Sequence, residues 1–183
     1  MEKSKEVELS KALSYILRHG AKKHNLMVFK GGWVYIEDVL AWLNSRRKSP
    51  VKRRDVYYVV KHNEKMRFSI KDNLIRANQG HSFPVDLKLK EMSPPSTLYH
   101  GTHEKVKEKI LEKGILRMNR HHVHLTDNIL TAKQVGGRRG KPLVLEVDAA
   151  KMHESGFLFY LSANNVWLTK RVPPEFVKIF TEF

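Results

Sequence analysis

Two adjacent prolines near the middle of the chain, Pro94 and Pro95, limit what this sequence can fold into. They are flanked by Ser93 and Ser96, and together the four residues interrupt the periodic patterns on either side. Proline fixes its own φ and lacks a backbone N–H, so such a run continues neither a helix nor the interior of a sheet. We therefore predict a stiff linker around residues 92–96, with one domain at 1–92 and a second at 93–183.

The first half of the chain carries the spacing of helices followed by a hairpin. Apolar residues recur at helical spacing at 9–17, 36–43 and 56–60, and Gly20 stands where the first helix should stop. Phe68 and Ile70 then alternate with polar residues, and a polar turn at 71–73 leads into a second apolar pair, which predicts a β-hairpin. Helices followed by a hairpin resemble a winged helix, a nucleic-acid-binding module. Any other small α+β domain is the alternative.

The second half alternates between short strands and helices. Strands are predicted at 98–100, 122–126 and 143–147, with further β signal at 157–161, 166–168 and 176–180. Helices are predicted around 106–111, ending at Gly114, and around 132–135. We expect a compact α+β fold here rather than a doubly wound parallel sheet.

The charge of the chain favours a polyanionic partner. The formal net charge is +15, from 34 Lys+Arg against 19 Asp+Glu. Residues 1–90 hold 20 of these cations and 9 of the carboxylates, so most of the excess lies in the first half. Such a field is typical of nucleic-acid binding, and a generally basic surface is the alternative.

The composition excludes several classes of protein. The chain has no cysteine, so it has neither a disulfide framework nor a thiolate metal site. No apolar run approaches the length needed to cross a bilayer, and the N-terminal residues lack the apolar stretch of a signal peptide. We expect a soluble protein of the cytoplasm with no membrane partner.

Three segments with cationic side chains hold the first candidates for chemistry. Arg18 and His19 stand at the predicted end of the first helix, where the helix dipole favours cations and simple capping is the alternative. Arg67 precedes Phe68, and because the core takes the Phe side chain, Arg67 is expected to face outward; a solvated arginine is the alternative. A loop at 136–142, rich in glycine and cations and containing Arg138, suits close approach to phosphate, although a flexible basic turn is equally compatible. Its spacing matches neither a dinucleotide fingerprint nor a P-loop.

Polar positions in the second half could hold a sugar or an amide. The tripeptide His-Gly-Thr at 100–102 ends a predicted strand and would leave backbone donors and a hydroxyl exposed. Strand alternation puts His122 and His124 on one face, where hydrogen-bonded core histidines are the alternative. Zinc binding is disfavoured because there is no cysteine and Asp127 is the only nearby carboxylate. Residues 162–168 fit a strand with a capped entry.

Taken together and in this order, these segments resemble one family, the RNA 2′-phosphotransferases best known from tRNA splicing. The match runs along nearly the whole chain, from Leu9 to about Phe176. It rests on Ser-Tyr-Ile-Leu-Arg-His at 14–19, Gly-Trp-Val at 32–34, Lys-Met-Arg-Phe at 65–68, Gln-Gly-His-Ser at 79–82, Leu-Tyr-His-Gly-Thr at 98–102, His-Val-His-Leu-Thr at 122–126, Val-Gly-Gly-Arg at 135–138 with Gly-Lys-Pro at 140–142, and Asn-Val-Trp-Leu-Thr at 165–169.

The resemblance implies an N-terminal winged-helix RNA-binding lobe and a C-terminal NAD lobe similar to ADP-ribosyltransferases. Carried over by motif, the family's essential Arg-His-Arg-Arg set falls on Arg18, His19, Arg67 and Arg138. The NAD contacts that the resemblance implies come from His100, Gly101, Thr102, His122, His124, Leu125, Thr126, Gly136 and Asn165. The cations of the first half that we expect to contact RNA phosphates are Arg46, Arg47, Lys48, Lys52, Arg53 and Arg54.

The reaction that the resemblance implies consumes NAD and needs no metal. The 2′-phosphate inside an RNA of the tRNA splice-junction type attacks the nicotinamide-bearing ribose carbon, giving 2′-phospho-ADP-ribosylated RNA and free nicotinamide. A ribose hydroxyl then attacks the phosphate, which releases 2′-OH RNA and ADP-ribose 1″,2″-cyclic phosphate. Arginine stays charged and binds phosphate bidentately, so Arg18, His19 and Arg67 suit gripping the 2′-phosphate. Arg138 suits steadying charge in the phosphoryl step.

Two other functions are compatible with the sequence. One is an ADP-ribosyltransferase that stops after the first step and modifies a terminal phosphate of RNA or DNA. The other is a winged-helix nucleic-acid-binding protein without catalysis, although the polar motifs of the second half exceed what a binding module needs. Nothing in the sequence demands an oligomer, so we expect a monomer.

Overall fold

Two hydrophobic cores form along the chain, one within each of two units, Met1–Lys88 and Leu89–Phe183. A computed structural model describes residues 1–181, apart from the side chain of Arg139. Both units mix helices with antiparallel strands, so the predicted α+β class is confirmed. The division at Lys88 falls just before the predicted linker at 92–96. None of the helices in the described residues is both long and apolar enough to cross a bilayer.

The first unit combines helices with a three-stranded antiparallel sheet. Its elements are α1 (Lys3–Tyr15), a π-helical turn (Ile16–Gly20), β1 (Val34–Tyr35), α2 (Ile36–Asn44), α3 (Arg53–Lys61), β2 (Phe68–Lys71) and β3 (Leu74–Ala77). The strand order is β1-β3-β2, so the hairpin predicted from the sequence is joined on its second strand by β1. The three predicted helices and the hairpin are confirmed.

Apolar stripes explain why these helices form and where they pack. Leu9 and Leu13 of α1 are buried, and so are Val39 of α2 and Val56 and Val59 of α3. Each fully buried side chain of this size contributes about 1.5–3 kcal/mol to folding. The three stripes meet in one core, which Phe68 and Ile75 of the hairpin complete.

The second unit is richer in strands. Its elements are β4 (Thr97–His103), a 3₁₀ turn (Glu104–Val106), α4 (Lys107–Lys113), β5 (Ile115–Leu116), β6 (Val123–Leu125), α5 (Ile129–Gly136), a 3₁₀ turn (Gly137–Arg139), β7 (Pro142–Asp148), α6 (Ala149–Glu154), β8 (Tyr160–Leu161), β9 (Trp167–Thr169), β10 (Arg171–Val172), a 3₁₀ turn (Pro174–Phe176) and β11 (Val177–Ile179).

Two three-stranded sheets meet at one point of this unit. Their orders are β11-β7-β4 and β6-β9-β8, and a separate pair joins β10 to β5. Tyr99 of β4 and Thr126 just after β6 connect the two sheets, since each backbone N–H donates to the other's carbonyl, at 2.7 and 3.0 Å. Every strand pair recorded in residues 1–181 is antiparallel, as the expectation against a doubly wound parallel sheet requires.

In the second unit, the prediction that the strand beginning near Leu98 ends at His100 is wrong. Strand β4 continues through Gly101 and Thr102 to His103, with Gly101 opposite Val144 of β7. Gly101 does not end the strand; it allows close packing against α5, because a Cβ there would lie 1.8 Å from the carbonyl oxygen of Ala132. The sequence signal of a glycine after a strand residue is the same in both cases, and only the packed helix distinguishes them.

Candidate functional site

Arg18 and His19 lie on the π-helical turn that continues α1. This turn, Ile16–Gly20, buries Ile16 and Leu17 on the core side, leaves Arg18 half-buried and exposes His19. The predicted end of the helix at Gly20 is confirmed, whereas the π geometry was not predicted. Single π-helical turns are rare and are found frequently at functional sites.

The short segment 78–82, which directly follows β3, holds this turn in place. The Ser82 backbone N–H donates to the Arg18 carbonyl oxygen at 2.9 Å, and the Ser82 hydroxyl donates to the same oxygen at 3.3 Å. The His19 Nδ1 lies 3.0 Å from the same Ser82 Oγ and forms a hydrogen bond with it. The Arg18 side chain runs along Gly80, where a Cβ would lie 3.5 Å from its Nε.

Arg67 is held from the other end of the same segment. Its backbone carbonyl accepts from the Asn78 backbone N–H at 2.9 Å, and the Asn78 side-chain amide donates to the Met66 carbonyl at 2.7 Å. Met66 has a φ of 40°, a left-handed conformation that these bonds stabilise. The Asn63 side-chain oxygen accepts from the Arg67 backbone N–H at 3.2 Å and from its guanidinium at 3.4 Å.

The structure therefore brings three of the four central candidates onto one support in the first unit. Arg18, His19 and Arg67 each bond to or lie against residues 78–82. The prediction that Phe68 takes the core is confirmed, but Arg67 is half-buried rather than fully solvated. Sequence reasoning missed Asn63 and Asn78 as supporting residues. Asn78 is buried directly after β3, and buried amides are almost always bonded, but its burial is visible only in the structure.

Arg138 belongs to the second unit and is exposed. It lies on the 3₁₀ turn Gly137–Arg139, which follows α5 and leads through Gly140 into β7. A Cβ built at Gly137 or Gly140 would meet nothing within 4 Å, so the loop is open on both sides of Arg138. The predicted loop at 136–142 is shorter in the structure, since Gly136 ends α5 and Pro142 begins β7, and the role of Arg138 stays a prediction.

The segments 100–102 and 122–126 lie side by side in the second unit. The His100 Nδ1 donates to the His124 carbonyl oxygen at 2.9 Å, and Arg120 donates to the His124 Nδ1 at 3.1 Å. Burial lowers the pKa of His100 below its ordinary value, and the nearby Arg120 lowers it further, while the bond to His124 opposes the shift. His100 is therefore a neutral ring with a fixed tautomer near pH 7.

The pKa of His100 predicts that acid weakens this fold. Since the folded pKa lies below the unfolded value of 6.5, only unfolded chains take up this proton as the pH falls through 6.5. The free energy of unfolding is then lost on acidification, by at most about 1.4 kcal/mol per pH unit for one proton. Urea denaturation from pH 8 to 5 should show a shallower loss in His100→Asn than in the wild type. Equal slopes in the two proteins would contradict the assignment.

Strand β6 is shorter than the predicted strand at 122–126; His124 alternates with the buried Val123 and Leu125, and His122 directly precedes the strand. Burial lowers the pKa of His122, and the charges of His121, Arg117 and Lys170 lower it further. Its ring centroid lies 5.6 Å from that of Tyr160. Within residues 1–181, no group of three or more His, Cys, Asp or Glu side chains could hold a metal ion.

Gly136 and Asn165 have clear local roles. A Cβ at Gly136 would lie 2.4 Å from the Thr102 carbonyl oxygen, so the glycine lets the end of α5 lie directly on β4. Asn165 has a φ of 56° and closes a turn in which its backbone N–H donates to Ser162 at 3.0 Å. Asparagine tolerates this left-handed conformation better than most residues. Contact with NAD stays a prediction for both positions.

The six cations predicted to contact RNA fall into two groups. Arg47 pairs with Glu8 at 2.8 Å. Arg53 pairs with Glu37 at 2.6 Å and donates to the Asn73 side chain at 2.6 Å, so it ties α2 and α3 to the hairpin turn. These two arginines form ion pairs within the fold, which sequence spacing alone could not show.

The other four cations are exposed. Arg46 lies over the Trp42 ring, with its Cζ 4.9 Å from the ring centroid. Lys48, Lys52 and Arg54 extend from the ends of α2 and α3, and no ion pair within residues 1–181 engages their side chains. Their charges are available to an external polyanion.

Arg53 and Arg54 provide a direct comparison of these two groups. If Arg54 contacts an RNA phosphate as predicted, Arg54→Ala should reduce the magnitude of the slope of log binding constant against log salt by about 0.7–0.9, without changing stability. Arg53→Ala should instead lower the midpoint of urea unfolding, because its bonds to Glu37 and Asn73 are lost. RNA titrations at several salt concentrations and urea curves on both variants test this. The reverse pattern would show that Arg54 is structural.

Known proteins match this chain over most of its length. A family model described as "RNA 2′-phosphotransferase, Tpt1 / KptA family" matches residues 4–171. A "Probable RNA 2′-phosphotransferase" of Nostoc punctiforme is 46% identical over 97% of this chain and 99% of its own. Proteins of the same name from Trichormus variabilis and Streptomyces coelicolor are 48% and 45% identical, each over 97% of this chain, and over 98% and 97% of their own.

Proposed function

Since this chain belongs to the RNA 2′-phosphotransferase, Tpt1 / KptA family, we propose that it removes an internal 2′-phosphate from RNA in an NAD-dependent transfer. The resemblance drawn from the sequence motifs is confirmed by these comparisons. The observation that carries the proposal in the structure is the shared support of Arg18, His19 and Arg67 on residues 78–82.

These three side chains suit a dense phosphate group. An RNA 2′-phosphate beside a backbone phosphodiester concentrates negative charge, which guanidinium groups bind bidentately. Ser82 holds the Arg18 backbone and the His19 ring, and Asn78 holds the Arg67 backbone while Asn63 accepts from the Arg67 guanidinium, so the three residues are positioned before RNA binds. Such preorganisation lowers the entropy cost of binding and favours charge stabilisation during transfer.

The first unit has the element order of a winged helix, which supports its proposed role in RNA binding. Helix α1 is followed by β1, the helices α2 and α3, and the hairpin β2-β3, with β1 paired to β3. In helix-turn-helix proteins the second helix of the pair approaches the nucleic acid. Here that helix is α3, and Lys52 and Arg54 at its start are exposed.

We propose NAD as the co-substrate, bound by the second unit as an ADP-ribosyltransferase-like lobe. NAD combines flat rings, ribose hydroxyls and a pyrophosphate, and the residues present fit those groups by type. His100 is a neutral ring of fixed tautomer, His122 and Tyr160 are neighbouring rings, and Arg117 adds positive charge close to His122. When bound, NAD supplies a ribose carbon with nicotinamide as leaving group and carries the phosphate away as ADP-ribose 1″,2″-cyclic phosphate.

The proposal assigns Arg138 to charge stabilisation rather than to the fold. It is exposed, and the loop around it is open, so the guanidinium can meet an anion without rearranging the core. Arginine remains protonated throughout a phosphoryl transfer, so it stabilises developing negative charge without giving up a proton.

The experiment that tests the proposal uses a short RNA with one radiolabelled internal 2′-phosphate. The purified protein is incubated with this RNA with and without NAD, and the products are separated. We expect the label to leave the RNA only with NAD and to appear in ADP-ribose 1″,2″-cyclic phosphate. An RNA with only a terminal phosphate is the matched control substrate.

Each other outcome identifies a different function. If the RNA keeps an ADP-ribose adduct, the protein is an ADP-ribosyltransferase that stops after the first transfer. If no label moves while the RNA still binds, the protein is a nucleic-acid-binding protein and the proposed activity is wrong. If the label leaves equally well without NAD, the phosphate removal stands and the NAD dependence does not.

A further inference from the structure

A partly exposed aromatic cluster lies in the first unit, around the end of α1 where the π-helical turn with Arg18 begins. We call it the Tyr15 cluster, and it consists of Tyr15, His24, Trp42 and Arg46. The rings of Tyr15 and Trp42 are stacked, with centroids 5.8 Å apart and planes at 28°. His24 lies 5.5 Å from Trp42, and the Arg46 guanidinium lies over the Trp42 ring at 4.9 Å.

Tyr15 is exposed at the end of α1, where the π-helical turn begins. It keeps 40% of its surface accessible, whereas Leu13 and Ile16 on either side are fully buried. Packing between helices alone would favour covering a ring of this size. Tyr15 therefore keeps surface that is accessible to a ligand, beside the Trp42 ring on which it stacks.

The ring of Tyr15 is tied to the turn that carries Arg18 and His19. A Cβ at Gly20 would lie 2.9 Å from the Tyr15 Cε1 and 3.3 Å from the His24 Cδ2. Gly20, the last residue of the π-helical turn, thus leaves the space in which both rings lie. Any ligand on the Tyr15 ring is then held close to whatever Arg18 and His19 hold.

The charge of the cluster suits a nucleotide. Arg46 is fixed over Trp42 because its guanidinium donates to Ser45 Oγ at 2.8 Å and to the Trp42 carbonyl at 3.3 Å. Exposed Lys22 and Lys23 follow the π-helical turn. Aromatic faces next to arginine are the surfaces on which proteins stack unpaired bases, and stacking tolerates any base because each has a flat face.

We propose that the Tyr15 cluster stacks an unpaired nucleobase of the substrate RNA, at or next to the nucleotide that carries the 2′-phosphate. This inference rests on the proposed function, because Arg18 and His19 locate the phosphate only if that function holds. Tyr15 is the last residue of α1, and it stands three residues before Arg18 and four before His19 in the π-helical turn that follows. A base on Tyr15 and a phosphate on Arg18 and His19 therefore fit one short stretch of single-stranded RNA.

The test combines variants of Tyr15 with RNAs that lack one base. Three RNAs carry an abasic site 5′ of, at, or 3′ of the 2′-phosphorylated nucleotide, and kcat/KM is measured for each. In the wild type, one abasic position should lower kcat/KM about tenfold, as expected for one lost stacking contact. Tyr15→Leu keeps apolar packing but has no flat face, so its kcat/KM on the intact RNA should be about tenfold below that of the wild type. Removing the base at that position should not lower the kcat/KM of Tyr15→Leu any further. Tyr15→Phe should behave as the wild type.

Tyr35→Ala is the matched control, because Tyr35 is similarly exposed at 44% but packs on Phe29 at 5.0 Å instead. It should keep the full tenfold penalty for the abasic RNA. Circular dichroism checks that each variant is folded. The inference is wrong if Tyr15→Leu retains the abasic penalty, or if the wild type shows none at any of the three positions.

Failure of this inference is distinguishable from failure of the proposed function. If the wild type removes the 2′-phosphate but base removal has no Tyr15-dependent effect, only the stacking site is wrong. If the wild type removes no 2′-phosphate, the proposed function is wrong. Fluorescence anisotropy then measures the affinity of the wild type and of Tyr15→Leu for the same RNAs, and these affinities test whether Tyr15 stacks a base. A Tyr15-dependent affinity penalty supports it there, and an equal affinity in all combinations overturns it.

Discussion

An Arg138→Ala variant is expected to keep its affinity for RNA while its removal of the 2′-phosphate falls about 10²- to 10³-fold, the usual effect of deleting one charge-stabilising donor. Arg138 is exposed on an open turn, so truncating it leaves no cavity in the core of the second unit. The RNA-binding cations proposed above all belong to the first unit. Single-turnover assays with the labelled RNA, together with RNA-binding titrations, measure the two quantities separately.

Lys141→Ala is the matched control for that variant. Lys141 lies in the same loop, is equally cationic and pairs with Glu104 at 2.9 Å with a side chain that is 76% exposed. Its removal should leave turnover nearly unchanged, since exposed ion pairs contribute little. Unchanged turnover in Arg138→Ala would contradict the assignment, and an equal fall in RNA affinity would make Arg138 a binding residue instead.

Gly101→Ala is expected to destabilise the second unit by about 3 kcal/mol or more, at the upper end of what an added methyl group costs in a packed core. The new Cβ would lie 1.8 Å from the Ala132 carbonyl oxygen and 2.6 Å from its carbonyl carbon. Both are backbone atoms of α5, so relief requires the helix to move away from β4. Urea denaturation followed by circular dichroism measures the loss, and hydrogen exchange along β7 assigns it to this unit.

Gly137→Ala provides the control for this effect. Gly137 follows α5 directly, has an ordinary φ of −65° and has nothing within 4 Å of its added Cβ. The change in free energy of unfolding should stay within about 0.5 kcal/mol. If Gly101→Ala is as stable as Gly137→Ala, the close approach of α5 to β4 is not rigid in solution. A loss of NAD-dependent activity in Gly101→Ala would then be attributable to the cofactor contact itself.

Periodicity predicted the helices and hairpin of the first unit, because these elements depend on local spacing. The stripes through Leu13, Val39 and Val56 are buried as expected, and the turn before Leu74 closes the hairpin. The predicted end of β4 at His100 was wrong, because the true end depends on packing that the local sequence does not show. A glycine in the sequence looks the same whether it ends a strand or allows a close packing contact. Ala132, which makes the contact with Gly101, lies far along the chain.

Motifs located candidate residues but not what supports them. Arg18, His19 and Arg67 came from separate segments, and their common support on residues 78–82 depends on the folding of the hairpin beside α1. The charge excess predicted a polyanion but could not separate Arg53, bonded within the fold, from Arg54, which is exposed. Ion pairs of this kind join residues distant in sequence, so composition and spacing carry no trace of them.

The π-helical turn makes helix length itself a determinant of where the cations point. Successive residues of a regular α-helix differ in direction by about 100°, and a π-helical turn accommodates one more residue before the direction repeats. Deleting Ile16 or Leu17 would leave the charge unchanged and would remove one buried side chain from the core. It would nevertheless rotate Arg18 and His19 against Ser82, so the aim of these side chains can be altered by a single-residue indel that substitutes none of them.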